Sequence, residues 1–537
     1  MGFKSFVKRF ELPATRLQNE DLLPTPPEKM TWTWFNFFMY WFSESWAIST
    51  WTLGSSLMTT GGMKTYECII CIFFTNLIIS CIIVCNGRAS AMYHIGFPVL
   101  GRVSFGIYGT YFIVIMRAML GVIWTSVQMF FLGQFVTVIL RVIFPSFYTM
   151  ANHIPLNQNV TVQELTGFFI AFAITLPFMF IPHHKVRHLF SVKGAIVPFA
   201  GLGLVIWACK VNGGAGSPDA LVNWTIRNSG TTTFAFSVLG QMNSIFGASS
   251  ALVVTVPDLA RYSNRPWAQV WGQILALPVA QTICASFGII TTSALYEYYG
   301  EAYWDLYTMF NGILDHSYTP ASRAGVFFAA FFFAFATLGT SIACNIIPFA
   351  ADVTCLWPRY INIIRGQFIC ILISLGTVPW KILRDATTFL NFLGGYSIFQ
   401  GPVVGILVVD YVIRRGNIDI NHLYHTQSDG PYWYKHGVNW RAIAAFVIGF
   451  ALPFPGFCAT LANSTGIAIG GFRLFNMGYF LSVVMGSLSY VGVCYFFRLP
   501  QVDFTAPIEV NAKMVMDFST EEDPERASPA VDSKPEL

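Results

Sequence analysis

The sequence predicts an all-α polytopic membrane protein, and three observations carry that prediction. Of 537 residues, 54% are hydrophobic and only 11% charged, against roughly 25% charged in soluble domains. Mean hydropathy is +0.56. Apolar runs long enough to cross about 30 Å of hydrocarbon recur along nearly the whole chain. They lack the alternation of barrel strands, so their backbone must satisfy its own hydrogen bonds as helix.

The runs number about twelve by this length criterion. A polar leader, residues 1–32, precedes them; it carries Lys4, Lys8, Arg9 and Arg16 and no cleavable signal, so it is expected in the cytoplasm. Span one covers 34–58, span two 66–86 and span three 110–138, with Arg117 near the start of the third. Spans four (163–182) and five (190–210) are joined by His184-Lys185-Val186-Arg187. Spans six (231–257) and seven (268–294) flank Arg261 and Arg265, and spans eight (324–350) and nine (363–380) flank Arg359 and Arg365. Span ten (386–412) ends at Arg414-Arg415, and spans eleven (440–460) and twelve (475–497) complete the set. Alternate loops thus carry the Lys and Arg, which fixes them inside and puts both termini in the cytoplasm. The sequons at Asn159, Asn223 and Asn463 all fall in loops this topology places outside. The division that follows is a cytoplasmic N-terminal tail (1–32), a ten-span core (33–414), two additional transmembrane helices (415–498) and a disordered cytoplasmic tail (499–537).

Several function classes are excluded. A net charge of +4, thinly spread, suggests no nucleic-acid partner. Eleven Cys have no framework spacing, and Cys68, Cys71, Cys81 and Cys85 read as small packing residues inside a span. No metalloprotease, P-loop or nucleophile-elbow motif stands in its structural context, so neither an enzyme nor a bound cofactor or metal is expected.

What remains is a set of polar residues at membrane depth, which are rarely kept there without a use. Trp124 and Gln128 sit one helical turn apart, so an indole face and an amide share one side of span three. Together they suit a flat heterocycle, stacked and hydrogen-bonded; lipid-facing bulk and a helix–helix hydrogen bond are the plainer alternative. In span one, Ser43-Glu44-Ser45-Trp46-Ala47-Ile48-Ser49-Thr50 places a carboxylate among hydroxyls. A centred, ionised carboxylate costs about 2.5–3.5 kcal/mol on insertion scales, which protonation largely removes. Glu44 is therefore either a proton-coupling group or half of a structural ion pair. In span six, Gln241 and Asn243 precede Phe246-Gly247-Ala248-Ser249-Ser250. Both segments look interruptible, as transporter sites at the midplane require. Their placement, one early in each half, suits two inverted five-helix repeats followed by two extra helices. Span eight adds Thr340, Ser341 and Asn345, with Ser341 and Asn345 at i, i+4 on one face.

Longer motifs are similar to a known family. Asn19-Glu20-Asp21-Leu22-Leu23-Pro24-Thr25-Pro26-Pro27-Glu28 with Thr31-Trp32, Pro257-Asp258-Leu259-Ala260-Arg261-Tyr262, Trp357-Pro358-Arg359-Tyr360-Ile361-Asn362, Asp410-Tyr411 and Gly437-Val438-Asn439-Trp440-Arg441-Ala442 resemble the nucleobase–cation symporter-1 family. The likeness is to its fungal branch of uracil, allantoin and uridine permeases. It implies a LeuT-like fold and alternating access, with Trp124 stacking on the substrate and Gln128 and Asn345 binding its edge. By the same resemblance Asp258 and Arg261, with Asp352 and Arg359, stand where a cytoplasmic gate forms, interface anchoring being the alternative. Gly394-Gly395 stands near an outer gate, as a hinge or as close helix packing.

Two departures from the family pattern matter. Ser249 stands where family members carry a second aromatic. Gly339 stands where sodium-coupled relatives have a Ser, leaving Thr340 alone of the hydroxyl pair. With Glu44, that loss favours a proton over sodium as the coupling ion. The resulting expectation is a plasma-membrane symporter importing a nucleobase or ureide, uracil-like or allantoin-like. Thiamine, nicotinamide riboside or a nucleoside is the alternative cargo, and a transport-inactive nutrient sensor the alternative class. The expected partners are the small-molecule substrate, the proton, the lipid bilayer and, through Lys513 and Lys534 in the C-terminal tail, the ubiquitination machinery.

Overall fold

A computed structural model describes residues 17–500 except 20, 181–185, 427 and 465. Lys4, Lys8, Arg9 and Arg16 of the leader, the His184-Lys185 pair and the acidic tail with Lys513 and Lys534 lie outside the described residues. Among those described there is no β-strand, only isolated bridges at Trp32–Ser263 and Lys435–Val438.

Every expected span coincides with helix. Span one is two helices, Trp34–Ser45 and Ile48–Thr60. Then come Thr65–Tyr93, Thr110–Ile143, Val162–Phe180, Val192–Asn212, Thr231–Ala260, Ala268–Tyr299 and Pro320–Leu356. Ile363–Ser374, Ala386–Ile413, a bent pair of Trp440–Ala451 and Phe454–Leu461, and Gly478–Phe496 complete the order. Nine of the described helices are individually long and apolar enough to cross a bilayer, ten with the bent pair. The 12- and 13-residue halves of span one and the 12-residue helix of span nine are too short alone, so twelve crossings do not follow from length.

Local chemistry sets the boundaries. Asn362, Asp385 and Asn439 cap spans nine, ten and eleven by accepting backbone N–H groups of Arg365, Thr388 and Arg441. Pro453 and Pro455 lack the N–H donors a straight helix needs, and span eleven bends by 55° beside them. The break in span one falls at Trp46-Ala47, inside the expected stretch; Trp46 N–H turns back to Ser43 O at 3.3 Å and Ala47 is extended.

The second expected interruption is absent. Span six runs unbroken from Thr231 to Ala260. Its Gly-Ala-Ser-Ser stretch serves close packing instead: a Cβ on Gly247 would lie 2.1 Å from Leu393 O of span ten. Tyr396 Oη donates to Gly247 O, and Ser250 Oγ bonds back to the same carbonyl at 3.0 Å. Span eight is the irregular one. Ser341–Ile346 forms a π-turn ahead of Pro348, whose missing N–H cannot continue an α ladder.

The helices pack in two groups. Spans one, two, six and seven contact one another, as do three, four, eight and nine. Span five touches one, seven and eight; span ten joins six to twelve, and eleven packs on twelve. From Leu17 the leader lies across one end of the bundle, here called the N-terminal face. Buried Arg102 donates to Leu17 O and Leu423 O, and Arg261 donates to Asp21 O, Leu23 O and Thr25 Oγ1.

Candidate functional site

The break in span one, the π-turn in span eight and the middles of spans three and six converge on a cavity of about 40 Å³. Glu44 and Ser49, Trp124 and Gln128, and Thr340, Cys344 and Asn345 line it, with Ala248, Ala251 and Leu252 of span six opposite. Five expected site residues are thus brought together from positions up to 301 apart in number, Glu44 to Asn345. The π-turn explains why Thr340 and Asn345 share this side. Its i, i+5 bonding gives residues five apart the relation that an α-helix gives to residues four apart.

Two expected residues are not in the lining. Ser249 is fully buried, and the register of an unbroken helix presents Ala248, Ala251 and Leu252 instead. Ser341 is buried too, on the other side of the widened turn. Both hydroxyls lack a partner among the described residues. Two rings pack on Trp124 just outside the lining. Phe392 and Tyr396 of span ten lie 5.9 and 6.3 Å from the Trp124 ring, and Trp124 Nε1 donates to Tyr396 Oη at 3.2 Å. Nothing in span ten's sequence singled these two rings out among its apolar neighbours.

Gln128 brings a poised acceptor. Its Oε1 is buried and has no hydrogen-bond partner among the described residues, a state that buried polar atoms avoid unless something else completes it.

Glu44 has partners that the sequence reading left unnamed. Cys344 Sγ donates to its Oε2 at 2.8 Å, and Lys193 Nζ stands 3.9 Å from the same oxygen. Lys193 is fully buried on span five and donates to Thr340 Oγ1 at 2.5 Å. An ammonium therefore already sits between the carboxylate and the hydroxyl. The available signal was Lys193, a charge inside the apolar run 190–210, whose second lysine, Lys210, stands at its end.

Towards the N-terminal face lies a second charged cluster. Arg117 donates to both Asp352 oxygens, through Nε at 2.6 Å and through Nη2, and through Nη1 to Asp258 Oδ2 at 2.8 Å. Asp258 Oδ1 accepts from Phe97 N–H at 2.8 Å, and the Phe97 ring covers the guanidinium at 4.2 Å. Asp258 and Asp352 are thus joined through Arg117, while Arg261 turns to the leader. Gly394 and Gly395 lie within an unbroken helix: Cβ atoms there would meet Asn243 Nδ2 at 2.7 Å and the Phe457 ring at 2.6 Å. Among the described residues no group of three or more His, Cys, Asp or Glu could hold a metal ion.

Comparison with known proteins places the sequence and the fold. The family described as "Permease for cytosine/purines, uracil, thiamine, allantoin" matches residues 24–482. A uridine permease of Saccharomyces cerevisiae is 34% identical over 505 residues, covering 93% of this chain and 78% of its own. An allantoin permease of the same yeast is 33% identical, covering 91% and 77%. Mhp1, a nucleobase-cation-symport-1 family transporter solved in a closed conformation with bromovinylhydantoin bound, shares the fold with a TM-score of 0.67 at 20% identity. That match covers 94% of this chain and 100% of Mhp1. A membrane-spanning helical chain with a buried polar site at its midpoint, matched over most of its length, belongs to the cytosine/purine, uracil, thiamine and allantoin permease family.

Proposed function

We propose that this permease imports an uncharged planar nucleobase or ureide together with protons across the plasma membrane. The observation that carries the proposal is the convergence of Trp124, Gln128 and Asn345 beside the Glu44–Lys193 pair. The ring stacks on Trp124, an N–H on its edge satisfies Gln128 Oε1, and Asn345 supplies a second amide with both donor and acceptor. The cavity of about 40 Å³ admits a few waters and falls below the roughly 300 Å³ of ordinary ligand pockets. Binding therefore requires Trp124, Phe392 and Tyr396 to part.

Coupling follows from the ion pair. While Glu44 is ionised, it attracts Lys193 and holds spans one, five and eight together. A proton on Glu44 cancels that attraction and loosens the contact, so loading and conformational change are linked. Sodium is disfavoured because the Lys193 ammonium already occupies the Thr340 hydroxyl. The alternation of basic loops supports a cytoplasmic N-terminal face. On that face Arg117, Asp258 and Asp352 close the inner path, and must part for release.

The test is labelled uptake in a cell lacking its own permeases, with competition by nucleobases, ureides and vitamins. Uptake displaced by uracil or allantoin and collapsed by a protonophore is expected. No uptake at normal surface expression would sink the transport reading, and uptake that needs sodium but ignores the protonophore would sink proton coupling.

A further inference from the structure

A second cavity, of about 580 Å³, lies on the face opposite the leader. It is enclosed by the end of span one, the first turns of span six, the start of span ten and the short helix Ile469–Asn476 between spans eleven and twelve. Its volume is within the range of small-molecule pockets. Gln241 lines it while remaining more than nine-tenths buried, and Gln241 Oε1 has no hydrogen-bond partner among the described residues. The amide reaches this position because residue 61 is glycine: a Cβ on Gly61 would fall 1.8 Å from Gln241 Nε2.

Asn243, two residues on, contrasts with it. Its Nδ2 donates to Phe475 O at 3.2 Å and its Oδ1 accepts from Tyr479 N–H at 2.8 Å, so it ties span six to the last two helices and is spent. Gln241 is not. Asn391 and Asn476 add amides to the wall, and the Phe236 ring carries the Arg473 guanidinium 5.0 Å from its centroid. No lining residue is acidic, so nothing in the wall offsets that positive charge. From Gln241 to Ala248, which lines the central cavity, is about 10 Å along the helix, roughly the spacing of two small molecules in file.

We infer that this outer cavity is a second binding station, holding an uncharged or anionic planar amide-bearing heterocycle before it reaches Trp124, and turning cationic heterocycles away. The inference rests on the transport reading above. Gln241 Oε1 accepts an N–H from the ligand edge, Asn391 and Asn476 complete the amide set, and Arg473 repels a charged thiazolium or pyridinium ring. This narrows the family's range: thiamine and nicotinamide riboside are cations, whereas uracil and allantoin are neutral.

Equilibrium binding of labelled uracil and labelled allantoin to the purified full-length chain tests it. Two molecules per chain are expected in the wild type, one in Trp124→Ala and one in the double variant Gln241→Ala/Asn391→Ala, each variant eluting as a single species. In Arg473→Gln, thiamine is expected to compete at least threefold more strongly. One molecule in the wild type, lost in Trp124→Ala, would overturn the outer station and leave the transport reading intact. Binding of neither probe would overturn both, and unchanged thiamine competition in Arg473→Gln would remove the charge filter.

Discussion

Glu44 and Lys193 show how much of a buried ion pair is chemistry and how much is folding. The carboxylate was legible because one charge in an apolar run is conspicuous. Its partner lies 149 positions on, by the difference of the two numbers, and no local pattern connects them. Removing one member of a buried pair leaves the other charge unpaired, which typically costs about 3–5 kcal/mol. Glu44→Gln and Lys193→Met are therefore each expected to lower thermal stability in detergent by that order, with the double variant milder than their sum. Strict additivity would mean that the two do not interact. In whole cells, Glu44→Gln is also expected to flatten the pH dependence of uptake while substrate competition persists. Gln128 and Asn345 stood out as amides in apolar runs, whereas Trp124 stood out only by its spacing from Gln128, and their roles came from the resemblance. Ser249 was singled out by its place in the family pattern, and the register of a continuous span six turns it away from the cavity.

At the level of elements, spans one and six illustrate opposite uses of small residues. In span one, hydroxyls compete with the backbone and the helix breaks. In span six, a similar polar and small stretch lets another helix approach, and the ladder stays intact. Sequence alone does not separate these cases, because the deciding group is a carbonyl on span ten. Gly247→Ala is expected to push Leu393 away and destabilise the protein by about 1–3 kcal/mol, as overpacking does; unfolding of the variant beside wild type reads this directly. The π-turn in span eight was similarly hidden, since Pro348 announces an irregularity but not its kind. Between spans seven and eight, Asp305 caps the helix Leu306–His316, accepting Thr308 N–H at 2.8 Å. Burial pushes its carboxyl up from 3.8 to about 6. The folded state thus holds this proton more tightly than the unfolded chain. Stability from this group is greatest below the unfolded value and declines as pH rises through about 6, by up to about 3 kcal/mol. Asp305→Asn keeps a capping oxygen and removes the titration. Its thermal midpoint relative to wild type is expected to rise between pH 5 and pH 7, and a constant difference would contradict the assignment.

Across the whole molecule, two helix groups meet at Arg117. Span three carries the guanidinium and span eight one carboxylate, while Asp258 comes from span six in the other group. In the proposed cycle this contact, which bridges both groups, is the latch. Arg117→Gln is expected to raise maleimide labelling of Cys355, now fully buried near Arg102, at least fivefold by peptide mass spectrometry. Unchanged labelling would contradict the latch. The helical class and the order of segments were legible because hydrophobic length is a local property. The grouping was not, since it depends on which faces meet.

Arg102 and Arg261 hold the leader almost wholly by its carbonyl oxygens, those of Leu17, Asp21 and Leu23. Every residue type offers the same oxygen, so substitutions along this strap are nearly silent to both arginines. A deletion or insertion is not silent, because it slides every oxygen one place along a fixed rack of donors. The strap therefore tolerates changes of spelling but not of length, and a tag or fusion partner belongs ahead of Leu17.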